Sequence, residues 1–386
     1  MAPDEWRARR ARRLAGLPWV RREDRADGTP VRFVADELVV LAEHFATARQ
    51  AFAEQGLSAR DIIEEGDVPD GLRRVRIEGL DVARAARRVR VQAEAAGDTR
   101  VAASPNHVFV ATPFAHAGAY GSPRPAPPGA LTRPGTTGAD GVRVLVLDTG
   151  VWLNSPLPKE RYVTEDFEPG DDDGDGVRQG DAGHANFVAG VMLGRSQRVR
   201  PRVVRIVDTF GVCRESDLVA ALRQAGDDPI VNLSLGGYSL DDRPPVLLTA
   251  ALGGLLTSGD RVVVAAAGND GRHDRPFWPA AYAGTGVPWR RRVVAVAAHD
   301  GRRICDWSNT GPWVTLAAPG ADVLSTYVHH EGFPDGWARW SGTSFAAPFV
   351  AAAIADALPE GGSAGVAAQS VVAGAGLRYG RYAGVA

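Results

Sequence analysis

The sequence predicts an α/β fold: a mainly parallel sheet with helices on both faces, preceded by a small α+β domain. Three observations carry this. Short apolar runs of strand length recur from residue 142 onward, at Val142–Leu147, Val203–Val207, Ile230–Leu235, Arg261–Ala266 and Val293–Ala298. Helical segments such as Asp217–Gln224 and Val246–Thr257 separate them, and this alternation is the mark of a parallel sheet. Upstream, five shorter elements alternate within eighty residues and need a core of their own.

In chain order, residues 1–30 are polar and Arg-rich and are expected to be loosely ordered, a solvated and partly frayed helix. Val31–Leu41 reads as a strand, and His44–Gln55 carries Phe45, Ala48 and Phe52 at helical spacing before Gly56. Leu72–Ile77 alternates apolar and basic as a half-buried strand, Asp81–Ala93 places Val82, Ala85, Ala86 and Val89 on one helical face, and Val101–Val110 is again extended. Residues 111–140 are rich in Pro and Gly without an apolar period and read as a linker; residues 141–386 form the main domain.

With 386 residues and 45% hydrophobic content the chain can bury a large core, and a net charge of −2 gives no signal for nucleic acid or an anionic membrane. No apolar run reaches eighteen residues, so no membrane span is expected. The stretch after the N-terminal arginines, Leu14–Val20, is broken by Gly16 and Pro18 and makes no signal-peptide core. Cys213 and Cys305 are the only cysteines, which favours two free thiols and a cytoplasmic location, with export by another route left open. A monomer is expected.

Four stretches carry chemistry. Val142–Asp148 is a β-branched run that ends in a carboxylate at Asp148-Thr149-Gly150, where strands of an α/β sheet deliver functional groups. Gly183-His184-Ala185-Asn186 sets an imidazole at the start of a small-residue helix, and Gly342-Thr343-Ser344 opens a buried Ala-rich one. Alone, the last would be a helix cap; a hydroxyl there also meets unpaired N–H groups and the positive helix end, which suits a nucleophile. Val262–Asn269 ends in Gly268-Asn269, which alone is a turn former.

Asp, His and Ser in that order, with a Gly-Asn strand end, resemble the subtilisin-like serine proteases over residues 141–360. The resemblance implies a subtilisin-like three-layer fold and a serine endopeptidase that needs no cofactor. Asp148 would orient His184, His184 would take the proton of Ser344, and Asn269 with the Ser344 N–H would form the oxyanion hole. An extended polypeptide substrate would contact Gly211, Val212 and Cys213 on one side, Ser234, Leu235 and Gly236 on the other, and Ala267 and Gly268, with Phe277 at the floor of the pocket for the residue preceding the cut. Residues 31–110 resemble the family's propeptide in pattern and position and would inhibit the active site; an uncleaved accessory domain is the alternative.

Two departures stand out. Ala185 and Asn186 replace the glycine and threonine usual beside the histidine, which leaves an inactive, binding-only relative as a second reading. Phe345 replaces a methionine common beside the nucleophile. The run Asp171-Asp172-Asp173-Gly174-Asp175-Gly176 fits the first half of a calcium loop, but Ala182 stands where the closing Glu belongs, so a solvated acidic loop is favoured over structural Ca²⁺. A third reading, an aspartic protease using Asp148-Thr149-Gly150, lacks the second such motif it requires.

Overall fold

A computed structural model describes residues 3–25, 28–66, 68–110, 122–131, 141–164, 166–169, 182–208 and 211–385. The acidic run from Asp171 to Gly176 and most of the 111–140 segment lie outside the described residues.

The N-terminal part is built on β2 (Pro30–Leu41), whose residues are buried almost throughout. It is flanked by β4 (Leu72–Arg76) and β5 (Ala103–Val110), both antiparallel, while β3 (Ile63–Glu65) extends the sheet beyond β4. Helix α2 (Phe45–Ala53) buries Ala48 and Phe52, and α3 (Val82–Ala95), capped by the Asp81 carboxylate, buries the expected face of Val82, Ala85, Ala86 and Val89.

Before residue 30 the expected helix is present, and the expectation of loose order is corrected for the segment that follows it. Helix α1 (Pro3–Gly16) is followed by β1 (Val20–Asp24), which pairs along Pro30–Val34 of β2. The reason is the length of β2: β4 covers only Glu37–Leu41, so the other half of that edge needs a partner for its backbone groups. Leu14 is buried against Val34, Val108 and Val212.

The main domain holds a nine-stranded sheet. In chain order its strands are β7 (Val142–Asp148), β8 (Val163–Thr164), β9 (Val199–Arg205), β11 (Ile230–Leu233), β12 (Val262–Ala266), β13 (Val293–His299), β14 (Leu316–Pro319), β17 (Leu377–Tyr379) and β18 (Tyr382–Gly384). Their spatial order is β17-β18-β14-β13-β12-β11-β7-β9-β8, parallel except for the β17–β18 pair. Side chains alternate between two cores, as the period of two requires: Leu145, Leu147, Val263 and Ala265 in one, Val144, Val146, Val262 and Val264 in the other. Helices α5 (Glu215–Leu222) and α6 (Val246–Thr257) fill the first core, α4 (His184–Arg195), α7 (Thr343–Ala357) and α8 (Ala364–Gly374) the second.

The described part of the proposed linker is not free-running chain. Residues Arg124–Pro125 form β6, which pairs with β16 (Trp337–Trp340), itself paired with β15 (Val323–Thr326). The main domain therefore already engages chain upstream of residue 141.

The two parts share one sheet and one core. Strand β10 (Val212–Arg214) pairs antiparallel with the end of β5, matching Val212 with Val110 and Cys213 with Phe109. The Asn106 side chain accepts from Ser216 N in the first turn of α5, and Ser104 Oγ accepts from Val246 N at the start of α6. Buried His107 binds Glu215 through Nδ1 at 2.9 Å and accepts Leu240 N–H at Nε2, while Glu215 also accepts from Leu248 N. Both cysteines are buried and unbridged.

Candidate active site

Asp148 is the last residue of β7 and is buried. Its Oδ1 accepts Thr149 N–H at 2.8 Å and lies 2.8 Å from His184 Nδ1. A carboxylate there fixes the imidazole with Nδ1 as donor and turns Nε2 to the far side of the ring. His184 opens α4 directly after Gly183, which holds φ 80°; a Cβ at Gly183 would lie 2.8 Å from both Tyr327 and Val328, so a side chain is excluded twice over. The ring is fully buried, with Trp340 edge-on at 5.7 Å and Phe345 at 5.4 Å between centroids.

The start of α4 is tied back to the Asp148 turn. Ala185 N donates to Thr149 Oγ1, and Gly183 N donates at 2.7 Å to the carboxylate of Glu168, which also lies 3.4 Å from Thr149 Oγ1. Glu168 has no sequence signature; only a buried carboxylate at a helix start gives it away.

Ser344 is the second residue of α7, so its N–H lies at the positive end of the helix. Its Oγ lies 3.1 Å from Ser234 O, and Ser234 Oγ donates to Ser344 O at 2.7 Å. The next residue, Phe345, packs its ring against His184.

Asn269 follows β12 through Gly268 at φ 99°. Its Oδ1 accepts from Thr343 N at 2.8 Å and Thr343 Oγ1 at 2.9 Å, while Thr343 Oγ1 accepts Gly268 N–H. With the carbonyl end anchored at the residue before Ser344, the amide end turns away from Thr343. The amide N–H₂ and the helix start are both sources of positive potential. Thr343 was visible in the motif, but its anchoring role was not.

The remaining expected residues fall on four segments. Val212 and Cys213 belong to β10, with Gly211 just before it, and β5 already pairs along this strand. Ser234, Leu235 and Gly236 continue from β11 beside Ser344, and Ala267 and Gly268 continue from β12. Phe277 is buried between Gly236 and Gly268: a Cβ on either would lie within 3.0 Å of its ring. The Asn186 side chain is engaged elsewhere, accepting from Trp152 N and donating to Trp152 O and Ser155 Oγ.

A profile of the subtilase family, Peptidase S8, matches residues 139–364. A thermophilic serine proteinase of Bacillus sp. (strain AK1) is 34% identical over 227 residues, 56% of this chain and 52% of that protein. An intracellular serine protease of Paenibacillus polymyxa is 30% identical over 236 residues, 56% of this chain and 66% of that protein. The chain thus spans between about half and two thirds of these relatives' lengths. Among solved structures, the prenylagaramide maturation protease PagA superposes with a TM-score of 0.50 at 25% identity over 62% of this chain and 85% of that one. Fervidolysin from Fervidobacterium pennivorans, at 18% identity, shares the fold with a TM-score of 0.56 over 89% of this chain and 58% of that one.

Proposed function

Because the chain belongs to the subtilase family, we propose that it is a serine endopeptidase that hydrolyses peptide bonds through an Asp148-His184-Ser344 triad. The observation that carries the proposal is the buried 2.8 Å contact between Asp148 Oδ1 and His184 Nδ1, beside a serine at a helix start. His184 Nε2 takes the Ser344 proton as Oγ attacks the substrate carbonyl. The Asn269 amide and the Ser344 N–H hold the oxyanion, and His184 returns the proton to the leaving amine. Water, deprotonated by the same imidazole, then releases the acyl group. Each step draws on side chains of the protein, one backbone N–H and water.

Substrate binds as an extended strand against β10 and the Ser234–Gly236 segment. The N-terminal part acts as an inhibitor in cis: β5 holds the β10 edge that a substrate would need, with Phe109 packed against Gly237.

The test is hydrolysis of unfolded casein during prolonged incubation. The wild-type chain should cleave it and Ser344→Ala should not. Wild-type protein without hydrolysis, or hydrolysis that survives Ser344→Ala, would overturn the proposal.

A further inference from the structure

Resting on the protease reading above, we propose that Phe277 closes the pocket for the side chain of the residue whose carbonyl is attacked, so that the enzyme cleaves after glycine, alanine and serine. The attacked carbonyl must lie between Ser344 Oγ and the Asn269 amide. The side chain of that residue then enters the gap between the Ser234–Gly236 segment, whose Ser234 O lies beside Ser344 Oγ, and the Ala267–Gly268 segment, which leads into Asn269. Both walls present glycine to the gap, which on its own would make a wide slot. The Phe277 ring fills it. A Cβ on Gly236 would lie 2.4 Å from Phe277 Cε1, and one on Gly268 would lie 3.0 Å from Cγ and Cδ2. The ring therefore touches both walls at once and is only 5% exposed.

It is also held there. Tyr238 meets the ring edge-on at 5.3 Å between centroids, and its hydroxyl donates to Asp270 at 2.9 Å and accepts from Asn309 Nδ2 at 3.0 Å. Asn309 in turn donates its backbone N–H to Gly268 O and accepts from the N–H groups of Asp270 and Arg272. Swinging Phe277 aside would disturb this network and a close-packed wall. An aromatic side chain brings 150–250 Å² of surface for which the gap has no room, whereas a methyl or hydroxymethyl group reaches only its mouth.

The test uses two aminoalkyl diphenyl phosphonates, one with an alanine and one with a phenylalanine side chain at the reacting residue. These reagents read this pocket without needing the β10 edge. For the full wild-type chain the alanine reagent should inactivate on the order of 10²-fold faster than the phenylalanine reagent. Phe277→Gly should collapse or reverse that ratio, and Phe277→Leu, which keeps most of the buried volume, should move it in the same direction if the glycine variant does not fold. Faster reaction of the wild type with the phenylalanine reagent, or a ratio unmoved in the folded variants, overturns the inference. A fluorophosphonate without any amino-acid side chain separates the two failures. Labelling of Ser344 with the wrong ratio removes this inference alone; absence of labelling removes the protease reading and this inference with it.

Discussion

Thr343 grips Asn269 Oδ1 with both its backbone N–H and its hydroxyl, at 2.8 and 2.9 Å, so the residue before the proposed nucleophile aims the proposed oxyanion donor. Asn269→Ala should lower kcat by roughly 10²- to 10³-fold with little change in KM, a magnitude borrowed from the corresponding donor of subtilisin rather than derived from this geometry. Thr343→Val keeps the backbone contact and loses the hydroxyl, so its kcat should fall by a smaller factor in the same direction. Steady-state kinetics of both variants checks this; a Thr343→Val effect confined to KM would contradict the aiming role.

Restoring the residues usual beside the histidine should do little for catalysis. Asn186 spends its side chain on Trp152 and Ser155, and the Ala185 contact with the Asp148 turn is a backbone N–H to Thr149 Oγ1. The double variant Ala185→Gly, Asn186→Thr should change kcat/KM by less than about tenfold while lowering Tm, since buried hydrogen bonds are lost and a glycine enters a helix. A large gain in kcat/KM would show that these two side chains limit the wild-type enzyme.

The strand pairing between β5 and β10 predicts that turnover is limited by the N-terminal part. Phe109 is fully buried between β10 and Gly237, and a carboxylate there would be desolvated without a partner. Phe109→Asp should loosen β5 and raise the initial rate on an extended peptide substrate. An unchanged or lower rate in a folded variant would mean that β5 does not obstruct the cleft.

Asp241 clamps the same interface from the side. Its carboxylate accepts from Arg87 Nε at 2.9 Å and Nη2 at 2.7 Å, and from Arg90. Burial pushes its pKa up, but the guanidinium bonds outweigh burial and leave it below the ordinary value of 3.8. A depressed folded-state pKa stabilises the fold fully above the unfolded value and loses that contribution as pH falls through the folded one. Asp241→Asn should therefore lower Tm by about 2 °C at pH 7, and the gap to wild type should narrow only below about pH 4. Calorimetry across pH 2.5–7 reads this directly; a gap independent of pH would assign the effect to packing.

The segments of the proposed triad stood out in the sequence because each candidate side chain ends a strand or begins a helix near glycine, a local arrangement. Asp148, His184, Asn269 and Ser344 could be named this way, as could α6 and the buried face of α3. Long-range pairings were not legible. Nothing in Val20–Asp24 marks it as a partner for β2, and the match of β5 with β10 joins segments about a hundred residues apart. Glu168, Thr343 and the His107–Glu215 contact share that problem, because their roles come from what the fold brings beside them. Strands β14 to β18 escaped because three or four residues leave too short an apolar pattern.

The most direct test of the proposed triad is to treat the full chain with a fluorophosphonate and map the adduct by peptide mass spectrometry. A single adduct on Ser344, absent from Ser344→Ala and formed far more slowly in His184→Ala, is the predicted result. An adduct on another residue, or labelling of Ser344 that is as fast without His184, would contradict the triad.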